Sequence, residues 1–396
     1  MDVLDIADLK RLARRRVPRM FFDYADSGSY SEHTYRRNEA DFADIGLRQR
    51  VGRKLHNRSL ASTMVGEPVS MPVALAPAGI AGMQRADGEI LAARAAEAFG
   101  VPFTLSTMSV CSIEQVAEHT KQPFWFQLYM MKDRGFIDAL IRRAHDVGCS
   151  ALMVTLDLQL VGQRHKDLRN GLATPPRMGL RSLLQLAVRP RWCAAMLGTQ
   201  NRRLGNIVGH APGAADLTRM SLWVERQFDL EFCWDDIAWI RERWDRKLIL
   251  KGVMDREDAI MAASTGADAV VVSNHGGRQL DGAPSTISVL PRIVDAVGGR
   301  IEIHLDGGIR SGQDVFRARA LGAHATYIGR PYLYGLGAMG QAGVTRALEI
   351  IAAELDTTMA LCGERDIASV GRHNIDGEGA HLPALRRPAF AEAPRR

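Results

Sequence analysis

A base and an anion anchor stand three residues apart in Ser273-Asn274-His275-Gly276-Gly277-Arg278-Gln279-Leu280-Asp281. The segment follows Ala269-Val270-Val271-Val272, an apolar β-branched run with the pattern of a buried strand. A histidine just past such a strand sits at its C-terminal end, which is the catalytic face of a β/α barrel. Imidazole can take up a proton near neutral pH. The guanidinium of Arg278 offers a planar fork to a carboxylate or phosphate. Gly276 and Gly277 would let backbone approach a ligand closely. Together these groups suit proton removal from a small acid. Taken alone, the string also fits a polar loop with a solvated histidine.

The rest of the chain must position these groups. From about residue 70 a strand-helix beat sets in. Its apolar runs are Val73–Ala76, Phe103–Ser106, Phe124–Tyr129, Ala151–Thr155, Lys247–Lys251, Ala269–Ser273, Ile301–Leu305 and Ala325–Ile328, each followed by a helical stretch. Eight such units predict one parallel α/β sheet closed into a (β/α)8 TIM barrel. Ser106, Gln127, Tyr129, Thr155, Asp157, Lys251, Ser273, His275, Asp306 and Arg330 all fall at or just beyond strand C-termini, which points to one shared mouth. Two glycine turns, Asp306-Gly307-Gly308-Ile309-Arg310 and Gly329-Arg330, follow strands seven and eight, where barrels often hold phosphate. There is no P-loop string and no H-E-x-x-H string, so neither an NTPase nor a metal site is expected. His304, inside strand seven, is expected to pack in a polar corner.

Around this barrel, residues 1–60 read as a helical preamble. Asp5 caps a first helix through Leu9, Leu12 and Ala13. Pro18 falls in the first turn of a second, which carries Tyr24 and ends at Gly28. A long insertion after strand four separates Asp157 from Lys247. Residues 168–215 hold no Asp or Glu but include Arg169, Arg177, Arg181, Arg189, Arg191, Arg202 and Arg203 among Leu180, Leu183, Leu184, Leu186, Val188, Trp192, Met196 and Leu197. This composition suits contact with anionic lipid, here through 176–203; an active-site flap or subunit contact is the alternative. Trp223 to Trp244 reads as a helical return. The barrel domain is taken as 1–371 and the Pro/Ala/Arg-rich 372–396 as a tail.

The bulk composition agrees with a globular enzyme. The chain has 396 residues, 46% apolar and 24% charged, with a net charge of +6. No basic helix or aromatic-basic module argues for nucleic acid. Five scattered cysteines without a C-x-x-C pair, and an N-terminus lacking a signal-peptide apolar region, predict reduced thiols and a cytoplasmic setting.

At this point the chain resembles the FMN-dependent L-2-hydroxy-acid dehydrogenases and oxidases, which include lactate and mandelate dehydrogenases and glycolate oxidase. The most specific motif is Ser273–Asp281. Supporting it are Leu75-Ala-Pro-Ala-Gly79, Phe126-Gln-Leu-Tyr129, Thr155-Leu-Asp157, Arg164, Leu250-Lys-Gly252, Asp306–Arg310 and Gly329-Arg330. The resemblance implies oxidation of an (S)-2-hydroxy acid to a 2-oxo acid with FMN as cofactor. It implies His275 as base with Asp157 as partner, and Tyr24, Arg164 and Arg278 on the substrate carboxylate. Tyr129 would meet the C2 oxygen. Pro77, Ala78, Gly79, Ser106, Gln127, Thr155, Lys251 and Ser273 would surround the flavin and ribityl parts. Asp306, Gly307, Gly308, Arg310, Gly329 and Arg330 would take the ribityl-phosphate end. Gly79, alanine in some members, resembles the dehydrogenase pattern, which points to quinone or another acceptor rather than oxygen. L-lactate is expected ahead of mandelate, with Met108, Leu160 and residues in the insertion over C3. A homotetramer, peripheral at the inner face of the plasma membrane, without a fused cytochrome, completes the expectation. The rivals are a phosphate-binding barrel of the inosine-monophosphate-dehydrogenase type, a flavin-dependent isomerase and a non-catalytic FMN-binding barrel. The first lacks a suitably placed cysteine, and the last does not require His275, Asp157, Arg278 and Tyr129 together.

Overall fold

The computed structural model describes residues 2–172, 179–210 and 223–376. Eight parallel strands form its centre: β1 Val73–Leu75, β2 Thr104–Ser106, β3 Trp125–Tyr129, β4 Ala151–Thr155, β5 Lys247–Val253, β6 Ala269–Val272, β7 Glu302–Asp306 and β8 Ala325–Ile328. Each pairs with the next in sequence, and β8 pairs with β1 through Tyr327 opposite Ala74. A bridge between Leu75 and Phe103 closes the ring. All eight expected strands are therefore present in a closed barrel, as the run of buried β-branched and aromatic residues requires.

Alternation along the strands sorts side chains between the helices outside and the barrel interior. Inside, Ala74, Trp125, Met153, Ile249, Val271, Ala325 and Tyr327 form one cluster with Met64, Val65 and Val69 of a hairpin (Ser62–Met64 with Glu67–Val69). That hairpin stoppers the N-terminal end of the barrel. Val65 N donates to Glu302 Oε2 (2.8 Å), and Trp125 Nε1 donates to Glu67 Oε2 (3.3 Å). His304 is fully buried between Tyr327 Oη (3.1 Å) and Glu302 Oε2 (2.9 Å), the polar corner that its strand position predicted.

The preamble differs in detail. Asp5 caps helix Ile6–Arg16 by accepting from Asp8 N. The second helix is Arg19–Ala25, with Pro18 as its N-cap rather than in its first turn, and it ends before Gly28. A third helix, His33–Ala40, was not foreseen. Most of its residues are polar, so no apolar stripe announces it. Helix Ile6–Arg16 lies on helix Arg330–Met339 where Gly337 has no side chain; a Cβ there would meet Val17 Cγ2 at 2.7 Å. Gly340 (φ +67) separates helix Arg330–Met339 from the long final helix Gln341–Leu361.

Two boundaries shift. The return segment 223–244 is not one helix: 223–227 is helical, Phe228 pairs with Met131, and a second helix covers Asp235–Arg241. Residues 372–376, assigned to the tail, belong to the packed body. Ile375 pairs with Leu47, and Asp376 N donates to Gly46 O (2.9 Å). The remaining tail, and insertion residues 173–178 and 211–222, lie outside the described residues.

Candidate active site

A cleft opens over the C-terminal ends of the strands. Asp157 and His275 face each other from the loops after β4 and β6, with Asp157 Oδ1 2.8 Å from His275 Nδ1. A carboxylate only accepts, so the neutral ring carries its proton on Nδ1 and leaves Nε2 as the basic nitrogen. His275 is in the left-handed conformation (φ +58), which costs on the order of 1–2 kcal/mol for an L-residue. Its backbone N–H is held by Ser273 Oγ (3.1 Å). Burial pushes the imidazole below its ordinary pKa, and the Asp157 carboxylate opposes that push only in part. At neutral pH His275 is therefore an uncharged base.

Two arginines face the same space. Arg278 Nη1 donates to Tyr24 O, to Ser27 O (3.2 Å) and to Ser27 Oγ (3.1 Å), and its guanidinium lies 4.8 Å from the Tyr24 ring centroid. Arg164 lies 5.8 Å from the same ring and 3.5 Å from Asp167. Burial, then the like charge of Arg164, lowers the Arg278 pKa to about 10. An arriving carboxylate would relieve that repulsion. Tyr129 lines the cleft beside them, its hydroxyl kept protonated by burial and by the charge of Asp157.

Deeper in the cleft, Lys251 Nζ meets Asp306 Oδ2 at 2.8 Å and Ser273 Oγ at 2.9 Å, while Ser273 Oγ donates to Asp306 Oδ2 (2.8 Å). Burial alone would lower the lysine pKa, but the carboxylates of Asp306 and Asp157 outweigh it and raise it. Gly307 and Gly308 turn past β7 with φ of +114 and +85. A Cβ on Gly308 would lie 1.9 Å from Asn38 O, so this turn needs glycine to admit the third preamble helix. Arg310 and Arg330 reach the same end. Arg310 pairs with Glu39 (2.6 Å), and Arg330 donates to Ala25 O (3.1 Å), Ser27 O (2.8 Å) and Gly276 O (3.0 Å).

Of the residues expected around the cofactor, Pro77, Ala78, Gly79, Lys251, Asp306, Gly307, Gly308, Arg310, Gly329 and Arg330 line the cleft. Ser106, Gln127, Thr155 and Ser273 are buried and absent from its lining. Ser106 Oγ donates to Gln127 Oε1 (2.9 Å), but Gln127 Nε2 and Thr155 Oγ1 are buried without a partner. Unpaired buried polar atoms at the strand ends call for a polar ligand. With a cationic Lys251 among them, they fit FMN.

Three expectations are corrected. Gly277 serves protein packing, since a Cβ there would meet Tyr35 N at 2.5 Å, whereas Gly276 does line the cleft, beside Arg330. Leu160 is 70% exposed and does not line the cleft. Trp192 and Met196 do not face outward: Trp192 stacks on Phe21 (5.2 Å) and donates to Met83 O (3.0 Å), and Met196 is buried. Sequence reasoning missed Leu158, Val161, Val224 and Phe228, which with Met108 make an apolar wall. Phe228 meets Tyr129 edge-on at 5.9 Å. Val224 and Phe228 come from the far end of the insertion, and no local pattern marks them.

Comparison with known proteins agrees with this geometry. The sequence profile of FMN-dependent dehydrogenases matches residues 13–377. The L-lactate dehydrogenase of Caulobacter vibrioides is 47% identical over 372 residues, 93% of this chain and 97% of that protein. That of Chromohalobacter salexigens is 46% identical over 370 residues, 93% and 94% of the two chains. A crystal structure of (S)-mandelate dehydrogenase, described as a monotopic membrane protein, superposes with a TM-score of 0.91 at 34% identity, covering 96% of this chain and all of that one. With the profile matching nearly the whole barrel and its preamble, this chain belongs to the FMN-dependent dehydrogenases.

Proposed function

We propose that the protein oxidises an (S)-2-hydroxy acid, L-lactate first, to the 2-oxo acid, and that quinone or another acceptor apart from oxygen takes the electrons. The observation that carries this reading is the His275–Asp157 pair facing the Arg278–Arg164 cations across one cleft. Arg278, Arg164 and Tyr24 bind the substrate carboxylate, and Tyr129 donates to the oxygen on C2. His275 Nε2 takes the proton released at C2 or its hydroxyl. The imidazolium that results is stabilised by Asp157 at 2.8 Å. FMN, when bound, supplies the two-electron acceptor. Pro77, Ala78, Gly79, Gln127, Thr155 and Lys251 would hold its ring system, with Ser106 and Ser273 supporting from behind. Asp306, Gly307, Gly308, Arg310, Gly329 and Arg330 would hold its ribityl-phosphate end.

The wall of Met108, Leu158, Val161, Val224 and Phe228 faces the substrate side chain. The Phe228 ring in this wall favours an aryl acid such as mandelate as the second reading. Gly79 supports an acceptor other than oxygen by its resemblance to dehydrogenases. A methyl there would lie 3.2 Å from Met108 Cβ and 3.4 Å from Tyr24 Oη, narrowing the cleft. A peripheral membrane seat at the inner face of the plasma membrane is supported by exposed Leu180, Leu183, Leu184, Val188 and Leu197 on helices Leu180–Ala187 and Pro190–Gly198 and their junction. No described helix is long and apolar enough to cross a membrane. A homotetramer completes the proposal on family resemblance.

The test is an anaerobic flavin spectrum before and after L-lactate, then (S)-mandelate. Bleaching by lactate at the lower concentration supports the first reading; bleaching by mandelate alone supports the second. Failure of both sinks the substrate assignment. Slow reoxidation on admitting oxygen is expected, and rapid peroxide formation would overturn the acceptor assignment. Arg278→Lys keeps a charge but loses the fork. Losing one charge-assisted hydrogen bond of roughly 1.5–3 kcal/mol should raise KM about 10- to 100-fold in steady-state assays. An unchanged KM would remove Arg278 from the carboxylate site.

A further inference from the structure

The loop that carries Asp157 is held from the β6 side by one side chain. Gln279 Nε2 donates to Asp157 O (2.9 Å) and to Leu160 O (2.6 Å), while Gln279 Oε1 accepts from Gly162 N (3.1 Å). All three of these bonds engage main chain between 157 and 162. Gly162 permits the approach, since a Cβ there would lie 2.5 Å from Arg278 O and 2.9 Å from Gln279 Cα. On the other side is Gly252, near the end of β5. It sits at φ +107, where the pairing of β5 with β6 slips between Lys251 and Val253. A Cβ on Gly252 would meet Asp157 Cγ at 2.7 Å and Asp157 Cβ at 2.8 Å.

The carboxylate has little else to aim it. Asp157 Oδ1 bonds His275, and Asp157 Oδ2 is buried without a partner. Its direction must therefore come from the main chain and from the space beside it. We propose that Gln279 and Gly252 are positioning residues that hold Asp157 against His275, Gln279 by fixing the backbone and Gly252 by leaving room for the side chain. The inference rests on His275 being the base. It gives the Gln279 of the motif a task separate from those of His275 and Arg278.

The charged groups around His275 are Asp157, Lys251, Arg278 and Asp306. Of the two carboxylates, Asp157 is the one bonded to the ring and raises its pKa, so moving it away lowers that pKa further. Gln279→Met keeps the length of the side chain and adds no charge while losing both donors and the acceptor for Gly162 N. In the FMN-loaded enzyme it should lower kcat about 10- to 100-fold, as small misplacements of reacting groups do. It should shift the acid limb of the kcat/KM–pH profile to lower pH and leave KM within about threefold. Gly252→Ala should move the limb in the same direction by a different route. In an Asp157→Asn background, Gln279→Met should add less than about twofold, because the residue it acts through is already disabled.

An acid limb that stays at its wild-type position in both variants, with FMN content intact, overturns the proposal. So does a Gln279→Met effect that multiplies undiminished with Asp157→Asn. If Gln279→Met cannot hold FMN, Gly252→Ala and its cycle with Asp157→Asn decide the matter by the same criteria. Failure of the underlying base assignment would show differently, as an acid limb that survives in His275→Gln.

Discussion

His275→Ala is expected to keep its FMN and to lose reduction by substrate roughly 10³- to 10⁴-fold, toward the upper end of what one general base contributes. The two halves of this expectation come from different parts of the structure. The imidazole bonds Asp157, and only its backbone N–H touches Ser273. The Lys251–Ser273–Asp306 cluster and the glycine turns after β7 and β8 do not depend on its ring. The flavin absorbance of the purified variant reads the first half. Stopped-flow bleaching under anaerobic conditions reads the second. Reduction at the wild-type rate would remove His275 from its role.

Lys251→Met should have the second largest effect, this time on stability and cofactor retention. Lys251 and Asp306 side chains are 5% and 12% exposed and 2.8 Å apart. Removing one member of a buried pair leaves the other charge uncompensated, at a cost of about 3–5 kcal/mol. The pH dependence has a definite sign. The Asp306 pKa is depressed: burial works against this, but Lys251 outweighs it. Its contribution is present above about pH 3.9 and fades as pH falls through the lowered folded value. Lys251, raised, contributes below about pH 10.4 and fades as pH rises through its folded value. The gap in unfolding free energy between wild type and variant should be widest between those limits and narrow in acid. Lys251→Met/Asp306→Asn should recover part of the stability without recovering FMN affinity. Denaturant titrations at several pH values check this, and a neutral-pH loss below about 1 kcal/mol would contradict the burial argument.

The barrel was legible because buried parallel strands leave an unambiguous trace: Ala269–Val272 is apolar throughout, Ala151–Thr155 is apolar up to its last residue, and both break at polar residues. The strand-end residues then fell into one cleft because a closed barrel brings all its C-termini to one mouth. What escaped notice depends on contacts distant in sequence. Gly277 looks like a ligand-side glycine until Tyr35 is seen against it. Asp281 looks like a turn residue, yet it accepts from Ser31 N (3.0 Å) and Thr34 N (2.9 Å). Trp192 resembles a lipid anchor in a basic apolar stretch, but Phe21 supplies the surface it packs on. Val224 and Phe228 have no local feature that marks a substrate wall.

The clasp between preamble and barrel bears on how the chain is made. Tyr24 enters the cleft from a segment whose fasteners arrive very late. Arg330 binds Ala25 O across 305 positions, and Asp281 binds Ser31 across 250. A ribosome working at about 5–20 residues per second needs on the order of 10–50 s to deliver them. Throughout that interval Phe22 lacks Tyr334, the ring it stacks on in the finished protein. The first segment synthesised is thus among the last to be fixed, and such high contact order slows folding. The nascent preamble is therefore the stretch most in need of a chaperone, and the anion-binding wall of the cleft is the last part of the site to mature.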